Sequence, residues 1–389
     1  MSNDTLASIE WIRTLIGFDT TSRDSNLDLI HHVKDYLGDL GVASTLVFDA
    51  EKRKANLYAT LGPADRPGIM LSGHTDVVPV DGQEWDSDPF RVVEKNGRIY
   101  GRGTSDMKSF IAVCLAFAPK LLERGLETPI HFGFSYDEEV GCIGVRRMIE
   151  MINGLGVKPK MCIVGEPTNM QVTIGHKGKH SYHAHVRGVE AHSSLAPIGV
   201  NAVEYAAEAV AYLKGMARRI AKEGPFDAAY DVKHTTVHTG TIRGGTALNI
   251  VPKDCTFDFE FRYLPETGHE DYLAEFERYL HDTLEPQMHA IDPATGFAIK
   301  ELSSIPGLSM DPGEEVVTFA KSLAGRNDHA KVAFGTEAGL FHQHAGIPTV
   351  VCGPGSVDQA HKPNEFVSVE QVEKCEQFMQ KLMNHVCAS

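Results

Sequence analysis

The sequence predicts an α/β protein with a mostly parallel sheet, into which a second, α+β domain is inserted. Short apolar runs are separated by stretches with helical periodicity: "IMLSG", "IHFGFSY", "MCIVG" and "IPTVVCG". Apolar strands that alternate with helices are typical of a parallel sheet covered on both faces. The middle of the chain instead alternates polar and apolar residues, which indicates strands with one face in water.

The N-terminal region predicts two amphipathic helices. In the first, apolar residues recur at helical spacing from Leu6 to Ile16; the second runs from Leu27 to Leu40 and ends at Gly41. The first residues carry neither a basic n-region nor a small-residue cleavage site, so we expect no signal peptide. The longest apolar run, "FIAVCLAFA", is too short to span a bilayer. These features predict a cytoplasmic protein.

The inserted domain follows the order β-α-β-β-α-β, which is that of the ferredoxin-like unit. Its predicted strands are "HSYHAHVR", "HTTVHTGTIR", "CTFDFEFRY" and "GFAIKEL", and its predicted helices cover about 201–221 and 270–284. In the third strand, alternate residues from Cys255 to Tyr263 form an apolar face. We therefore expect a catalytic domain made of residues 1–178 and 304–389, with the inserted domain at 179–303.

Composition and charge narrow the possible partners. The chain has 389 residues, of which 42% are hydrophobic and 23% charged, and its formal net charge is -15. Such a charge argues against nucleic acid and anionic membranes as partners. The seven cysteines are scattered without a CxxC pair. This pattern predicts reduced, mostly buried thiols in a cytosolic protein.

Polar residues follow each of the predicted parallel strands. Because ligands gather beyond the carboxyl ends of the strands in an open α/β sheet, we expect these side chains at one site. A further acidic residue, Asp106, lies in a loop just before a helix that begins near Lys108. The candidates are His74, Asp76, Asp106, Glu138, Glu139, Glu166 and His361.

Each of these residues also has a structural interpretation when it is taken alone. Asp106 could be an N-cap, a single histidine after a strand could be a hydrogen-bonded loop residue, and Glu166 before Pro167 could face solvent. Their coincidence at one sheet edge favours a metal site. Mixed imidazole and carboxylate ligands suit zinc, and several carboxylates suit a pair of metals with one carboxylate bridging them.

The adjacent residues Glu138 and Glu139 allow a division of labour at such a site. One carboxylate can bind a cation while its neighbour stays free as a general base. Asp76 follows His74 by two residues, so it is placed to hold the second imidazole nitrogen and fix the tautomer of that ligand.

The other histidines are predicted to be structural. His183 and His185 share one face of a strand with Ser181 and Arg187. That pattern indicates a polar strand face more simply than a metal cluster. The same interpretation extends to His180 of that strand, to His234 and His238, which flank a strand segment, and to His342 and His344, which lie on a helical stretch without carboxylate partners nearby.

At these residues the sequence resembles the two-zinc amidohydrolases and peptidases, a family that includes deacetylases, desuccinylases, aminoacylases and glutamate carboxypeptidases. The resemblance covers essentially the whole chain, including the inserted domain, which serves such enzymes as a lid and dimerisation domain. It is carried by the motifs "SGHTDVVP", "GRGTSDMKSF", "DEEVG", "VGEPT" and "GPGSVDQAHKPNEF".

The resemblance implies a ligand set for two zinc ions per chain, for which cobalt can substitute. One ion would be held by His74 and Glu166, and the other by Glu139 and His361. Asp106 would bridge the two ions.

The resemblance also implies roles for residues outside the ligand set. Glu138 would be the general base, with Asp76 behind His74. In the lid, His192, Asn249 and Arg262 match positions that contact substrate, and the strand pattern independently places Arg262 opposite the apolar face. Four residues of the stretches "FGTEAG" and "GPGS" are further candidates for substrate contacts: Gly335, Thr336, Gly355 and Ser356.

Within the family, the stretches "GPGSVDQAHKPNEF", "FGTEAG" and "GFDTTSRDSNLDLI" are most similar to the acetylornithine deacetylases. This implies hydrolysis of a small N-acyl amino acid in arginine biosynthesis. The alternatives are a succinyl-diaminopimelate desuccinylase, another N-acyl-amino-acid deacylase and a dipeptidase. A non-catalytic zinc scaffold would not need the base at Glu138. Dimeric relatives imply a homodimer, in which His192 could act in its own subunit or in that of its partner.

Overall fold

The computed structural model describes residues 3–388; Met1, Ser2 and Ser389, which the predicted domains include, lie outside the described residues. The chain forms two compact units. The first contains the chain through Gly175, then Leu308–Lys331, and the residues from Thr336 onward. The second contains His176–Gly307 and Val332–Gly335. The predicted domain limits at 178/179 and 303/304 stay a prediction, as does the lid role of the inserted segment.

The first part of the chain builds most of the first unit. Its helices and strands are α1 (Asn3–Ile16), α2 (Leu27–Asp39), β1 (Ser44–Phe48), β2 (Ala55–Leu61), β3 (Ile69–His74), β4 (Val93–Lys95), β5 (Arg98–Tyr100), α3 (Lys108–Arg124), β6 (Ile130–Ser135), α4 (Val145–Asn153), β7 (Met161–Pro167) and β8 (Thr173–His176).

The middle of the chain forms the second unit. Its helices and strands are β9 (Gly178–Arg187), β10 (Ala191–His192), α5 (Ala202–Glu223), β11 (Thr236–Gly244), β12 (Ile250–Val251), β13 (Asp254–Tyr263), α6 (Glu270–Tyr279), α7 (Glu285–His289) and β14 (Gly296–Ile305). A 3₁₀ turn covers Ser193–Ile198, and a π-helical turn covers Leu280–Leu284.

The last part of the chain returns to the first unit. It adds β15 (Leu308–Ser309), α8 (Glu315–Ala324), β16 (Ala330–Val332), α9 (Ala338–Ala345), β17 (Thr349–Gly353), β18 (Phe366–Ser368) and α10 (Val369–Val386).

The main sheet is parallel at its centre and antiparallel at its edges. Its nine strands run in the order β1-β2-β6-β3-β7-β17-β8-β15, with β16 beside β8. The pairs β6–β3, β3–β7 and β7–β17 are parallel, whereas β1–β2, β2–β6 and β17–β8 are antiparallel. The four central strands are the four apolar runs, so the predicted α/β class is confirmed. Their carboxyl ends meet at one edge of the sheet.

Helix α3 carries the long apolar run and is buried along most of its length, from Lys108 to Ala118. A Cβ atom added at Gly165 in β7 would lie 2.0 Å from the Phe110 ring, so close approach of helix and strand requires glycine there. Within the described residues, none of the helices combines the length and the apolar character that crossing a membrane would need.

The second unit has the topology of the ferredoxin-like unit. Its antiparallel sheet has the order β11-β13-β9-β14. The predicted apolar face of β13 is buried, and its residues share a core cluster with residues of α5 and α6. The helix predicted over 270–284 is α-helical to Tyr279, becomes a π-helical turn through Leu284, and continues as α7 to His289. Pro286, in the first turn of α7, has no amide hydrogen and cannot continue the regular ladder.

The seven cysteines are all buried and unpaired, as the scattered spacing predicts.

Candidate metal centre

The predicted metal ligands lie where the central strands end. His74 is the last residue of β3, and Glu166 is next to last in β7. Glu138 and Glu139 follow β6 directly, and His361 lies in the loop after β17. Since the carboxyl ends of these parallel strands share one edge, residues far apart in sequence converge there.

Asp106 lies between the two histidines. Its Oδ1 is 3.0 Å from His74 Nε2, and its Oδ2 is 3.3 Å from His361 Nε2. The N-cap of α3 is Met107, so the interpretation of Asp106 as a helix cap does not hold. The two oxygens of one carboxylate thus face two different imidazoles, which is the arrangement that a bridging ligand needs.

Each histidine has a glutamate on its own side. Glu166 Oε1 lies 3.7 Å from His74 Nε2, and Glu139 Oε2 lies 3.0 Å from His361 Nε2. Two ligand atoms bound tetrahedrally at about 2.05 Å from zinc lie about 3.3 Å apart, so these spacings suit a shared cation.

Glu138 also lies close to the ligands. One potential ligand atom from each of His74, Glu138 and Glu166 lies within 4.8 Å of the other two, and the same holds for His74, Asp106 and Glu139. Distance alone does not separate Glu138 from the ligands, so its role as the free base stays a prediction.

The shifted pKa values of the clustered side chains agree with a cation-binding site. Burial, with added repulsion from neighbouring carboxylates, raises the pKa of Glu138 and Glu166 well above the ordinary value. Burial and Asp106 raise the pKa of Glu139 to about 7, while hydrogen bonds with Asp106 and Glu139 raise the pKa of His361 to about 10. A divalent cation would favour ionised carboxylates and neutral imidazoles, taking the place of these protons.

Asp76 differs from its predicted arrangement. His74 Nδ1 lies 2.9 Å from the main-chain oxygen of Asp76 and 3.6 Å from its carboxylate. The carboxylate instead accepts hydrogen bonds from the main-chain amides of Glu138 and Glu139, at 3.1 and 3.3 Å, and from Ser22 Oγ at 2.8 Å. Asp76 therefore links His74 to the segment that carries both glutamates.

The neighbouring acid Asp137 has a structural role. Its carboxylate contacts Lys54 Nζ, which also contacts the main-chain oxygen of Ser22. Lys54 thus links Asp137, which directly precedes Glu138 and Glu139, to the loop that carries Ser22.

Three of the candidate substrate contacts belong to the first unit. Thr336 is fully buried, and its hydroxyl accepts a hydrogen bond from Ala338 N at the start of α9, so it is engaged in the fold. Gly355 has φ +87°, and a Cβ atom there would lie 2.5 Å from Ser105 Oγ. Ser105 Oγ donates to Ser356 O at 3.0 Å. Gly355 and Ser356 thus pack against the loop of Asp106.

The second unit holds the other candidate substrate contacts, including Gly335. His192 is exposed; its Nδ1 accepts from Ser194 N at 3.2 Å. Asn249 is also exposed, and its main-chain oxygen accepts from Ser193 N at 3.0 Å. Arg262 Nε donates to Glu260 Oε1 at 2.9 Å on the polar face of β13.

The histidines of β9 pair with carboxylates of β13. His183 Nδ1 lies 2.7 Å from Asp258, and His185 Nε2 lies 2.8 Å from Asp254. These cross-strand pairs are what a polar strand face needs.

Sequence reasoning missed several residues that support the site. Ser22 belongs to the quoted stretch "GFDTTSRDSNLDLI", but nothing in that stretch indicates its contact with Asp76. Cys142 Sγ donates to Glu138 Oε1 at 3.4 Å, four residues away across a tight turn. Glu365 and Arg102 form a buried ion pair beside Asp106. Both belong to quoted motifs, but neither motif indicates their pairing.

The fold and the cluster together define a metal-dependent hydrolase of amide bonds. A family model described as "Peptidase family M20/M25/M40" matches residues 70–385. The chain belongs to this family.

The comparison with individual proteins covers nearly the whole chain. It is similar to an acetylornithine deacetylase of Pasteurella multocida (strain Pm70), with 32% identity over 375 residues, or 96% of this chain and 95% of that protein. An acetylornithine deacetylase of Myxococcus xanthus is 33% identical over 391 residues, or 99% of both chains. The M20 family metallo-carboxypeptidase Sso-CP2 from Sulfolobus solfataricus has a similar fold, with TM-score 0.75, 19% identity, and coverage of 98% of this chain and 99% of that one.

Replacement of Asp76 by asparagine tests its link to the glutamate segment. In Asp76→Asn, the side-chain NH₂ replaces an oxygen that accepts main-chain hydrogen bonds, so we expect metal affinity to fall about 10–100-fold. Titration of metal-depleted protein with zinc measures this. The matched control is Asp81→Asn, whose exposed carboxylate pairs with Arg23 and should leave affinity unchanged. Wild-type affinity in Asp76→Asn would contradict the role.

Proposed function

We propose that the chain hydrolyses N-acetyl-L-ornithine to L-ornithine and acetate, as an enzyme of arginine biosynthesis in the cytoplasm. The proposal of hydrolysis rests on one observation: the two oxygens of Asp106 face His74 and His361, and Glu138 lies beside them. Support for the substrate comes from relatives described as acetylornithine deacetylases, which match at 31–33% identity along nearly the entire chain.

Two zinc ions per chain are the proposed cofactor, and cobalt can replace them. His74 and Glu166 would hold one ion, Glu139 and His361 the other, and Asp106 both. Bound there, the ions would polarise the acyl carbonyl and lower the pKa of the attacking water.

Glu138 acts as the proposed general base. Its carboxylate accepts a proton from the attacking water and returns it to the nitrogen of the leaving amine. The hydrogen bond from Cys142 and the main-chain contacts to Asp76 hold the glutamate segment for this transfer. The five proposed metal ligands suffice to hold the two ions, so Glu138 is left for proton transfer.

Residues of the second unit would recognise the rest of the substrate. His192 is assigned to the carbonyl oxygen, where it stabilises developing negative charge. Arg262 and Asn249 are assigned to the α-carboxylate, since the two Nη groups of arginine match a carboxylate in a bidentate contact. Gly335, Thr336, Gly355 and Ser356 remain candidates for contacts through their main chains.

We also propose a homodimer that pairs through the second unit, with His192 acting in the site of the partner subunit. Support comes from exposed apolar side chains on the segments around His192 and Asn249. Leu195 and Ile198 are 53% and 65% exposed, and Leu248 is wholly exposed. Apolar surface of this kind is typical of an interaction site.

The substrate assignment is tested by a panel of amides with zinc or cobalt present. We expect N-acetylornithine to give a higher kcat/KM than N-acetylmethionine, N-succinyl-diaminopimelate or dipeptides. The succinyl group adds a carboxylate that needs a further cation, and the sequence points to none. A preference for the succinyl substrate would indicate a desuccinylase, and a preference for dipeptides would indicate a peptidase.

The roles of the adjacent glutamates are separated by Glu138→Gln and Glu139→Gln. We expect Glu138→Gln to retain up to two zinc ions per chain and to lose about 10²–10⁴-fold in turnover. Glu139→Gln should instead bind metal more weakly. Metal analysis and kcat together measure both effects. Equal behaviour of the two variants would contradict the division of labour, and full activity without metal would contradict the whole proposal.

The position of His192 is tested by mixing two inactive variants, His192→Ala and Glu138→Ala, under conditions that exchange subunits. If His192 acts in the partner's site, each mixed dimer has one complete site. Random exchange should then restore roughly a quarter of wild-type activity, given two-fold pairing. If His192 acts in its own subunit, no site regains both groups. Verified exchange without recovery would therefore reject the arrangement across subunits.

A further inference from the structure

A buried ion pair underlies the loop that carries Asp106. The side chains of Arg102 and Glu365 are each 1% exposed, and Arg102 Nη1 lies 2.5 Å from Glu365 Oε2. The other oxygen, Oε1, accepts three main-chain hydrogen bonds: Gly103 N at 3.1 Å, Ser105 N at 2.8 Å and Asp106 N at 3.1 Å. One carboxylate thus fixes the backbone of the Asp106 loop.

The same arginine reaches the loop of His361. Arg102 Nη2 donates to Gln83 Oε1 at 2.7 Å, and Gln83 Nε2 donates to the main-chain oxygen of His361 at 3.0 Å. Arg102 Nη1 also lies 3.4 Å from the main-chain oxygen of Lys362. Glu365 itself follows His361 by four residues. The two loops are therefore joined through side chains rather than through a strand ladder.

The two sides of the metal centre differ in how they are held. His74 and Glu166 belong to β3 and β7, which pair as neighbours in the main sheet. Asp106 and His361 lie in loops, and the His361 side chain is 53% exposed, with φ +62° in the left-handed region. Loop residues without ladder hydrogen bonds depend on side-chain contacts for their position.

We propose that Arg102, Gln83 and Glu365, here called the loop clamp, position Asp106 and His361 together. They thereby chiefly set the affinity for the ion on the His361 side, since the other ion keeps His74 and Glu166 on paired strands. The inference rests on the two-ion site of the proposed function and extends it to three residues outside the ligand set. They are positioning residues, because they act through Asp106 and His361.

The burial of the ion pair agrees with a positioning role. Removing two charges from water is costly, and buried ion pairs are often no more stabilising than apolar side chains of the same size. Four hydrogen bonds that converge on one carboxylate instead define a single loop geometry. Supporting contacts of this kind typically change metal affinity about 10–100-fold when they are lost.

The test is a calorimetric titration of metal-depleted protein with zinc, for wild type, Gln83→Ala and Glu365→Gln. We expect wild type to bind two ions and both variants to lose about 10–100-fold in affinity at one of the two steps. His361→Ala should weaken the same step and so identifies it. Glu84→Ala, an exposed neighbour of Gln83, is the matched control and should behave as wild type.

A purely structural role predicts a different outcome. The variants would then unfold at a lower temperature without metal, yet bind both ions as wild type does, and the clamp would be overturned. If Glu365→Gln does not fold, Gln83→Ala decides alone, because Gln83 is only half-buried and contacts the His361 loop directly. A wild type that binds two ions, with unchanged variants, rejects the clamp alone. A wild type that binds fewer than two rejects the two-ion site and the clamp with it.

Discussion

Four carboxylates, one of them buried and three partly buried, lie within reach of two imidazoles at one edge of the main sheet, and their mutual repulsion is the constraint on which the site depends. Charges of one sign removed from water must be neutralised by protons or by cations. The raised pKa values of Glu138, Glu139 and Glu166 show the cost of ionising this cluster without a cation. A pair of divalent ions would neutralise this negative charge. The types of ligand and their burial therefore both indicate a metal site.

The main sheet determines where some of the candidate ligands lie. Parallel strands bring the ends of β6, β3, β7 and β17 to the same edge, so His74 and Glu166 are placed by regular main-chain pairing. Asp106 and His361 come from loops, where no ladder determines position. The structure fixes them with hydrogen bonds from buried side chains, above all those of Glu365 and Arg102. Regular structure thus serves one half of the site, and a polar network serves the other.

The parts that could be predicted from sequence are those encoded locally. Apolar runs and the strict alternation of polar and apolar residues predicted the two sheets. The polar residues at the strand ends predicted the candidate ligands. Contacts between distant segments were not predictable, such as Ser22 with the carboxylate of Asp76. The local pattern also did not indicate that the helix predicted over 270–284 is π-helical from Leu280 to Leu284 and extends to His289. Thr336 stays a predicted substrate contact; its hydroxyl also accepts a hydrogen bond from Ala338 N, which the sequence did not indicate.

The candidate residues for chemistry and for substrate recognition divide between the two units. The candidate metal ligands and Glu138 all belong to the first unit, whereas His192, Asn249 and Arg262 belong to the second. Under the proposed roles, the metal cluster would determine which bond can be hydrolysed without selecting an acyl amino acid. One fold can serve enzymes with different substrates. On the same assignment, substrate choice would arise from side chains of the second unit and from the loops that carry the candidate ligands.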